Sequence, residues 1–216
     1  MIRTVVLTVD PENPSSEAIS QAACTINQGG LVAFPTETVY GLAADALNPE
    51  ALRRVYEVKG RPENKPLPVQ VSSKADIEAL VTEMPVEAAI LIEKYFPGPL
   101  TIVLHASERV SDIVTAGTGK VGIRMPDHRV PLALIAAAGT PIVAPSANPS
   151  GKPSPVSAQE VYDYLSGKID MILDAGTSQL KIASTVIDMT VSPFVVIREG
   201  AISEQQLRSA VDQIRE

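Results

Sequence analysis

The chain has 216 residues, 45% of them apolar and 20% charged, enough for one packed core and incompatible with a disordered chain. Eighteen basic against 25 acidic residues leave a net charge of −7, which argues against a broad face for a polyanion. Aromatics are 4% with no Trp, which argues against gripping single-stranded nucleic acid by stacking, and one cysteine with two histidines cannot build a disulfide or the usual zinc site.

The first ten residues lack the apolar stretch of a signal peptide, and no window approaches the ~18 apolar residues of a membrane span, so the expected compartment is the cytoplasm. Along the chain, residues 2–9 predict a strand. Residues 15–28 predict a helix with Ile19, Ala22, Ala23 and Ile26 on one face, ended by Gly29 and Gly30. Cys24 falls in this helix and is expected as a small core residue. A buried strand at 31–34 stops at Pro35, a helix at 50–58 ends at Gly60, and a strand spans 67–71. Helices follow at 75–80 and 86–95, and strands at 100–104, 121–124 and 141–144, with a helix at 130–138 between the last two. A helix at 158–165, strands at 169–173, 185–189 and 194–198, and a helix at 204–214 complete the chain. Val195, Val196 and Ile197 in succession suggest a strand buried on both faces. The alternation predicts an α/β (α+β-like) fold, a twisted open mixed sheet with flanking helices. No linker stands out, so residues 1–216 are read as one domain with no second C-terminal domain.

Several segments carry polar chemistry. Gly117 to Gly122 matches G-x-G-x-x-G but leads into a strand, whereas a dinucleotide fingerprint opens a helix, so a glycine loop near a site is the better reading. Lys59, Arg61 and Lys65 form a basic cluster in an acidic chain. Lys59 alone suits a helix C-terminus, while the whole cluster suits a phosphate clamp, and residue type alone does not separate the two. Thr36, Glu37, Thr38 and Tyr40 follow a buried strand, at the usual ligand edge of an α/β sheet, where a capped turn is the plainer alternative. Ser146, Asn148 and Ser150 stand on a proline-stiffened loop that can hold a phosphate, a ribose or an amino-acid head group, or simply turn the chain.

Taken together in order, Phe-Pro-Thr-Glu-Thr-Val-Tyr-Gly-Leu at 34–42, Lys-Gly-Arg-Pro at 59–62, Pro-Gly-Pro-Leu-Thr at 97–101, Gly-Ile-Arg-Met-Pro at 122–126, Ser-Ala-Asn-Pro-Ser-Gly at 146–151 and Ser-Thr-Val-Ile-Asp at 184–188 closely resemble the YrdC-like family, the threonylcarbamoyl-AMP synthases. The resemblance implies a YrdC-like fold with a concave, positively charged groove. It also implies synthesis of L-threonylcarbamoyladenylate from L-threonine, bicarbonate or CO2, and ATP with Mg²⁺, releasing pyrophosphate. No dedicated protein metal site is evident. The product would feed a threonylcarbamoyl transferase complex acting on tRNA beside the anticodon, with tRNA met only indirectly or weakly and no membrane involved.

By the same matching, the family's K-x-R and S-x-N pairs fall on Lys59, Arg61, Ser146 and Asn148, which would bind the phosphates and adenylate, Lys59 and Arg61 being catalytic. Lys65, Ser154 and Arg198 would join the nucleotide site, while Thr36, Thr38, Arg124 and Ser184 would bind threonine. Two positions depart from the pattern: Gln70 stands where many relatives have His, and Lys120 where they have Thr or Ser. A carbamoyl-adenylating hydrogenase-maturation protein would need acylphosphatase and zinc-finger regions that one cysteine and 216 residues do not accommodate. A non-catalytic RNA-binding module and a nucleotide-binding paralogue of the same fold remain alternatives.

Overall fold

The computed structural model describes residues 2–212. In chain order its elements are β1 (Val5–Thr8), α1 (Ser16–Asn27), β2 (Val32–Phe34), β3 (Gly41–Asp45), α2 (Pro49–Lys59), β4 (Val69–Gln70), α3 (Lys74–Leu80) and α4 (Val86–Tyr95). There follow β5 (Leu100–His105), α5 (Asp112–Thr115), β6 (Lys120–Arg124), α6 (Arg129–Ala138) and β7 (Ile142–Val143). The chain continues through α7 (Ala158–Leu165), β8 (Met171–Asp174), β9 (Thr185–Asp188), β10 (Val195–Arg198) and α8 (Glu204–Asp212).

Local chemistry sets the helix ends. The Ser15 side chain accepts from the Ala18 amide at 3.2 Å to start α1. Asn48 caps α2, Pro49 occupies its first turn, and Gly60 closes it in the left-handed conformation at φ 55°. Ser73 and Asp76 form a capping box on α3.

The strands make one ten-stranded open sheet in the order β1-β8-β2-β3-β7-β4-β6-β5-β9-β10. Pairing is mixed: β1–β8, β2–β8, β4–β6 and β5–β9 run parallel, the other neighbours antiparallel. Helices α1 and α6 pack side by side against one face, burying Val32, Phe34, Ala43, Ile142, Met171 and Leu173 with Ile19, Ile26 and Leu134. The alternate residues Ala33, Leu42, Ala44, Val143 and Ile172 turn to the opposite face, into a larger core that extends under β4, β6, β5 and β9 through Val69, Ile123, Ile102 and Ile187. Over β4, β6, β5 and β9, the face that α1 and α6 cover elsewhere carries no helix among the described residues. There the outward set is Gln70, Lys120, Gly122, Arg124, Thr101, Val103, Val186 and Asp188, all lining one cleft.

Three expectations are corrected. Val195 and Ile197 are 53% and 60% exposed, because β10 is the sheet's edge strand and only Val196 packs against the core. Cys24 is exposed and its Sγ accepts from Gln28 Nε2 at 3.3 Å, since the inward stripe of α1 is Ala18, Ile19, Ala22, Ala23 and Ile26. β3 and the single turn α5 were not expected: the Gly-Leu-Ala-Ala-Asp run of β3 is poor in β-formers, and its place between β2 and β7 makes it a strand. Residues 213 and 214 of the expected last helix lie outside the described residues.

Candidate functional site

The cleft, of about 480 Å³, has the uncovered sheet face as its floor and four loops as its walls. The β2–β3 connection supplies Thr36, Val39 and Tyr40; the loop after α2 supplies Arg61 and Pro66; the loop after β7 supplies Ser146 and Ser154; the segment leading into β9 supplies Ser184. Four cations, Arg61, Lys120, Arg124 and Arg198, line it against one carboxylate, Asp188. A locally cationic cleft in an acidic protein suits small anions.

Arg124 ends β6, level with Gln70 on β4. Its Nε donates to the Gly98 carbonyl oxygen at 3.2 Å. Only glycine fits at position 98, because a Cβ there would lie 2.5 Å from the Tyr95 carbonyl oxygen. Arg124 Nη2 lies 2.7 Å from Glu37 Oε1, both side chains being 6–7% exposed. The contact is an ion pair of close charges without hydrogen-bond alignment, so Nη2 and both Glu37 oxygens lack an aligned partner. Arg198 donates to the Ser184 carbonyl oxygen through Nε at 3.1 Å and Nη2 at 2.8 Å, and Nη2 also reaches Ser184 Oγ at 3.2 Å. The Ser184 and Thr101 hydroxyls meet at 2.9 Å. Burial, and then the neighbouring Arg124 charge, lower the Arg198 pKa from the ordinary guanidinium value. Two guanidiniums and two hydroxyls thus converge on one part of the cleft.

Arg61 is held by its own loop: Nε donates to the Lys65 carbonyl at 3.2 Å and Nη2 to the Pro66 carbonyl at 2.7 Å. Lys120 Nζ pairs with Asp188 Oδ2 at 2.9 Å across the floor. Behind the wall, Lys59 is 3% exposed. Its ammonium donates to the carbonyls of Ser146 and Asn148, the latter at 2.5 Å, and its own carbonyl accepts from the Ser150 amide at 2.7 Å. Burial, then the nearby Arg61 charge, pull the Lys59 pKa down to about 7. Lys59 therefore stitches the end of α2 to the 146–150 loop.

Of the residues expected at a site, Thr36, Arg61, Arg124, Ser146, Ser154, Ser184 and Arg198 face the cleft, as do Gln70 and Lys120. Lys59, Thr38 and Asn148 are buried and do not form its wall. Thr38 Oγ1 is bonded to Thr36 Oγ1 at 2.8 Å, and Asn148 Nδ2 donates to the Pro149 and Lys152 carbonyls at 3.0 and 2.8 Å. Lys65 is exposed and not part of the cleft lining; its carbonyl accepts from Arg61 Nε and from the Tyr56 hydroxyl. The glycine segment at 117–119 is a turn with Gly117 and Gly119 at positive φ, leading into β6 with Thr118 at the cleft. Thr101 and Asp188 were not singled out as site residues, and Glu37 and Tyr40 were placed at the expected ligand edge without a role. All four lie inside recognised motifs, and their types gave no further signal. Among the described residues, no group of three or more His, Cys, Asp or Glu could hold a metal ion, and no helix is long and apolar enough to cross a membrane.

Comparison with known proteins gives concordant matches. The Sua5/YciO/YrdC family model, described as "Telomere recombination", matches residues 24–200. The threonylcarbamoyl-AMP synthase of Pyrococcus abyssi is 46% identical over 194 residues, 90% of this chain and 57% of that protein. That of Bacillus subtilis is 41% identical over 213 residues, 98% of this chain and 62% of that protein. The crystal structure of P. abyssi Sua5 complexed with L-threonine superposes with a TM-score of 0.93 at 44% identity, covering 96% of this chain and 61% of that one. The chain thus spans about 60% of the length of these relatives.

Proposed function

The chain belongs to the Sua5/YciO/YrdC family, and on that premise we propose that it is a nucleotidyltransferase making L-threonylcarbamoyladenylate and pyrophosphate from L-threonine, bicarbonate or CO2, and MgATP. The observation that carries the reading is the convergence of Arg61, Ser146, Ser154, Arg124, Ser184 and Arg198, from separate motifs, on one cationic cleft. The P. abyssi relative solved with L-threonine supports the amino-acid half of the substrate set.

In this reading Arg124 takes the threonine carboxylate, beside Ser184 and the wall formed by Thr36. The threonine amine, once deprotonated, bonds to the carbon of CO2 and loses a second proton, giving a carbamate. A carbamate oxygen then attacks the α-phosphorus of ATP, and the bond to the bridging oxygen of the β-phosphate breaks, so pyrophosphate leaves with that electron pair. No protein nucleophile takes part. Arg61 stabilises the charge gathering on the phosphates, and Ser146, Ser154 and Arg198 hold the nucleotide. Lys59 acts through the 146–150 loop, whose carbonyls it fixes. Mg²⁺ enters as part of MgATP and neutralises phosphate charge. The product supplies a transferase complex modifying tRNA, and the cytoplasm is where these substrates meet.

The test is pyrophosphate release by the purified protein with MgATP and bicarbonate, with and without L-threonine. Release that requires both threonine and bicarbonate is the expected result. A folded protein without threonine-dependent release, and with RNA affinity falling steeply with salt, would instead favour an RNA-binding module.

A further inference from the structure

Glu37 lies directly behind Arg124 and is 4% exposed, with neither oxygen in an aligned hydrogen bond. An unsupported buried carboxylate is costly and persists only against a positive charge. That charge is Arg124, with Nη2 at 2.7 Å and Nε held by Gly98. Glu37 itself is fixed on a short loop, its backbone carbonyl accepting from the Leu180 amide at 2.8 Å. It does not line the cleft, and its charge reaches the cleft through Arg124. The cleft face of Arg124 adjoins Arg198, whose pKa is lowered first by burial and then by the Arg124 charge.

Two adjacent guanidiniums alone would draw any small anion. A carboxylate behind one of them reduces that pull and, at short range, favours an incoming positive charge. An α-amino acid carries both signs on adjacent atoms, whereas a simple carboxylate carries one. We propose that Glu37 is a positioning and specificity residue: it orients Arg124 and tunes its charge so that the cleft takes a zwitterionic amino acid in preference to a plain carboxylate. The inference rests on the reading of the cleft as a threonine site.

The experiment is calorimetric titration of the nucleotide-free protein with L-threonine and with 3-hydroxybutyrate, the same skeleton without the amine, for wild type and Glu37→Gln. Wild type is expected to bind threonine and to discriminate against the deaminated acid. Glu37→Gln, isosteric and uncharged, should lower the threonine-to-hydroxybutyrate affinity ratio about tenfold or more, since one lost charge interaction of ~1.4 kcal/mol is a factor of ten. A change in packing alone would weaken both ligands together and leave the ratio in place. An unchanged ratio in a folded variant overturns the role of Glu37, with threonine binding intact in wild type. A wild type that takes up no threonine overturns the functional reading and this inference together. If Glu37→Gln does not fold, Glu37→Asp decides: its charge is kept but withdrawn from Arg124, so the threonine-to-hydroxybutyrate ratio should fall several-fold, and an unchanged ratio in the folded variant overturns the proposal.

Discussion

The two halves of the sheet differ in one respect. Strands β1, β8, β2, β3 and β7 include the region sandwiched by α1 and α6 on one side and the larger core on the other, and residues such as Val32, Ala33, Phe34, Leu42 and Ala43 have no exposed surface. Strands β4, β6, β5, β9 and β10 carry the same core on one side only. Their alternate residues are therefore free to be Arg124, Lys120, Thr101, Gln70 and Asp188. The first half derives its worth from packing, and the second spends one face of each strand on chemistry. A sheet with a helix missing from one face thus becomes a binding floor without any special loop insertion.

Substitutions can break or sharpen that contrast. The largest effect is expected in the sandwiched half: Phe34→Ala should cost about 3–5 kcal/mol of stability, read from urea denaturation, since the ring is fully buried and its site cannot collapse freely. Arg61→Ala in the open half should lower threonine-dependent pyrophosphate release roughly 100-fold or more while leaving the unfolding transition within about 1 kcal/mol. Near-wild-type turnover would remove Arg61 from the chemistry.

The Lys59 stitch predicts a pH effect on stability. Its folded pKa is about 7, below the ordinary lysine value of 10.5, so above neutrality the unfolded chain binds more protons than the folded one. Raising the pH then favours the folded state. Wild type should gain about 2 kcal/mol relative to Lys59→Met between about pH 7.5 and pH 9, an upper figure given the single group involved. Parallel curves for the two proteins would show that Lys59 keeps its ordinary affinity for the proton. The smallest effect belongs to the sheet's rim: Val195→Lys on β10 should change stability by no more than about 0.5 kcal/mol, because the side chain is already more than half exposed. A large loss there would mean that β10 is covered in solution.

Much of this was legible before any tertiary structure. Helices α4 and α7 fall at the expected residues, because a regular apolar stripe and a flanking Pro85 or Ser157 mark their ends locally. Strand β3 was not legible, since a Gly- and Ala-rich run becomes a strand only by pairing with β2 and β7. The inward and outward assignment of β10 was misleading for a related reason: three consecutive apolar residues look alike whether or not a neighbouring strand follows. At the site, the ordered motifs pointed to Arg61, Arg124, Ser146, Ser154, Ser184 and Arg198, all of which the fold brings to the cleft. They could not show that Lys59 turns away to two carbonyls, that Lys65 points to solvent, or that Glu37 backs Arg124.

The sequence alone determined the element pattern apart from β3 and α5, most helix ends and the family, because caps, periodicity and motif order are local or linear properties of the chain. The tertiary structure decided which side of each strand stays open and which charged groups face one another. Those outcomes depend on contacts between residues far apart in sequence, such as Glu37 with Arg124 and Lys59 with Ser146, whose energies arise only once the sheet has brought them within a few ångströms.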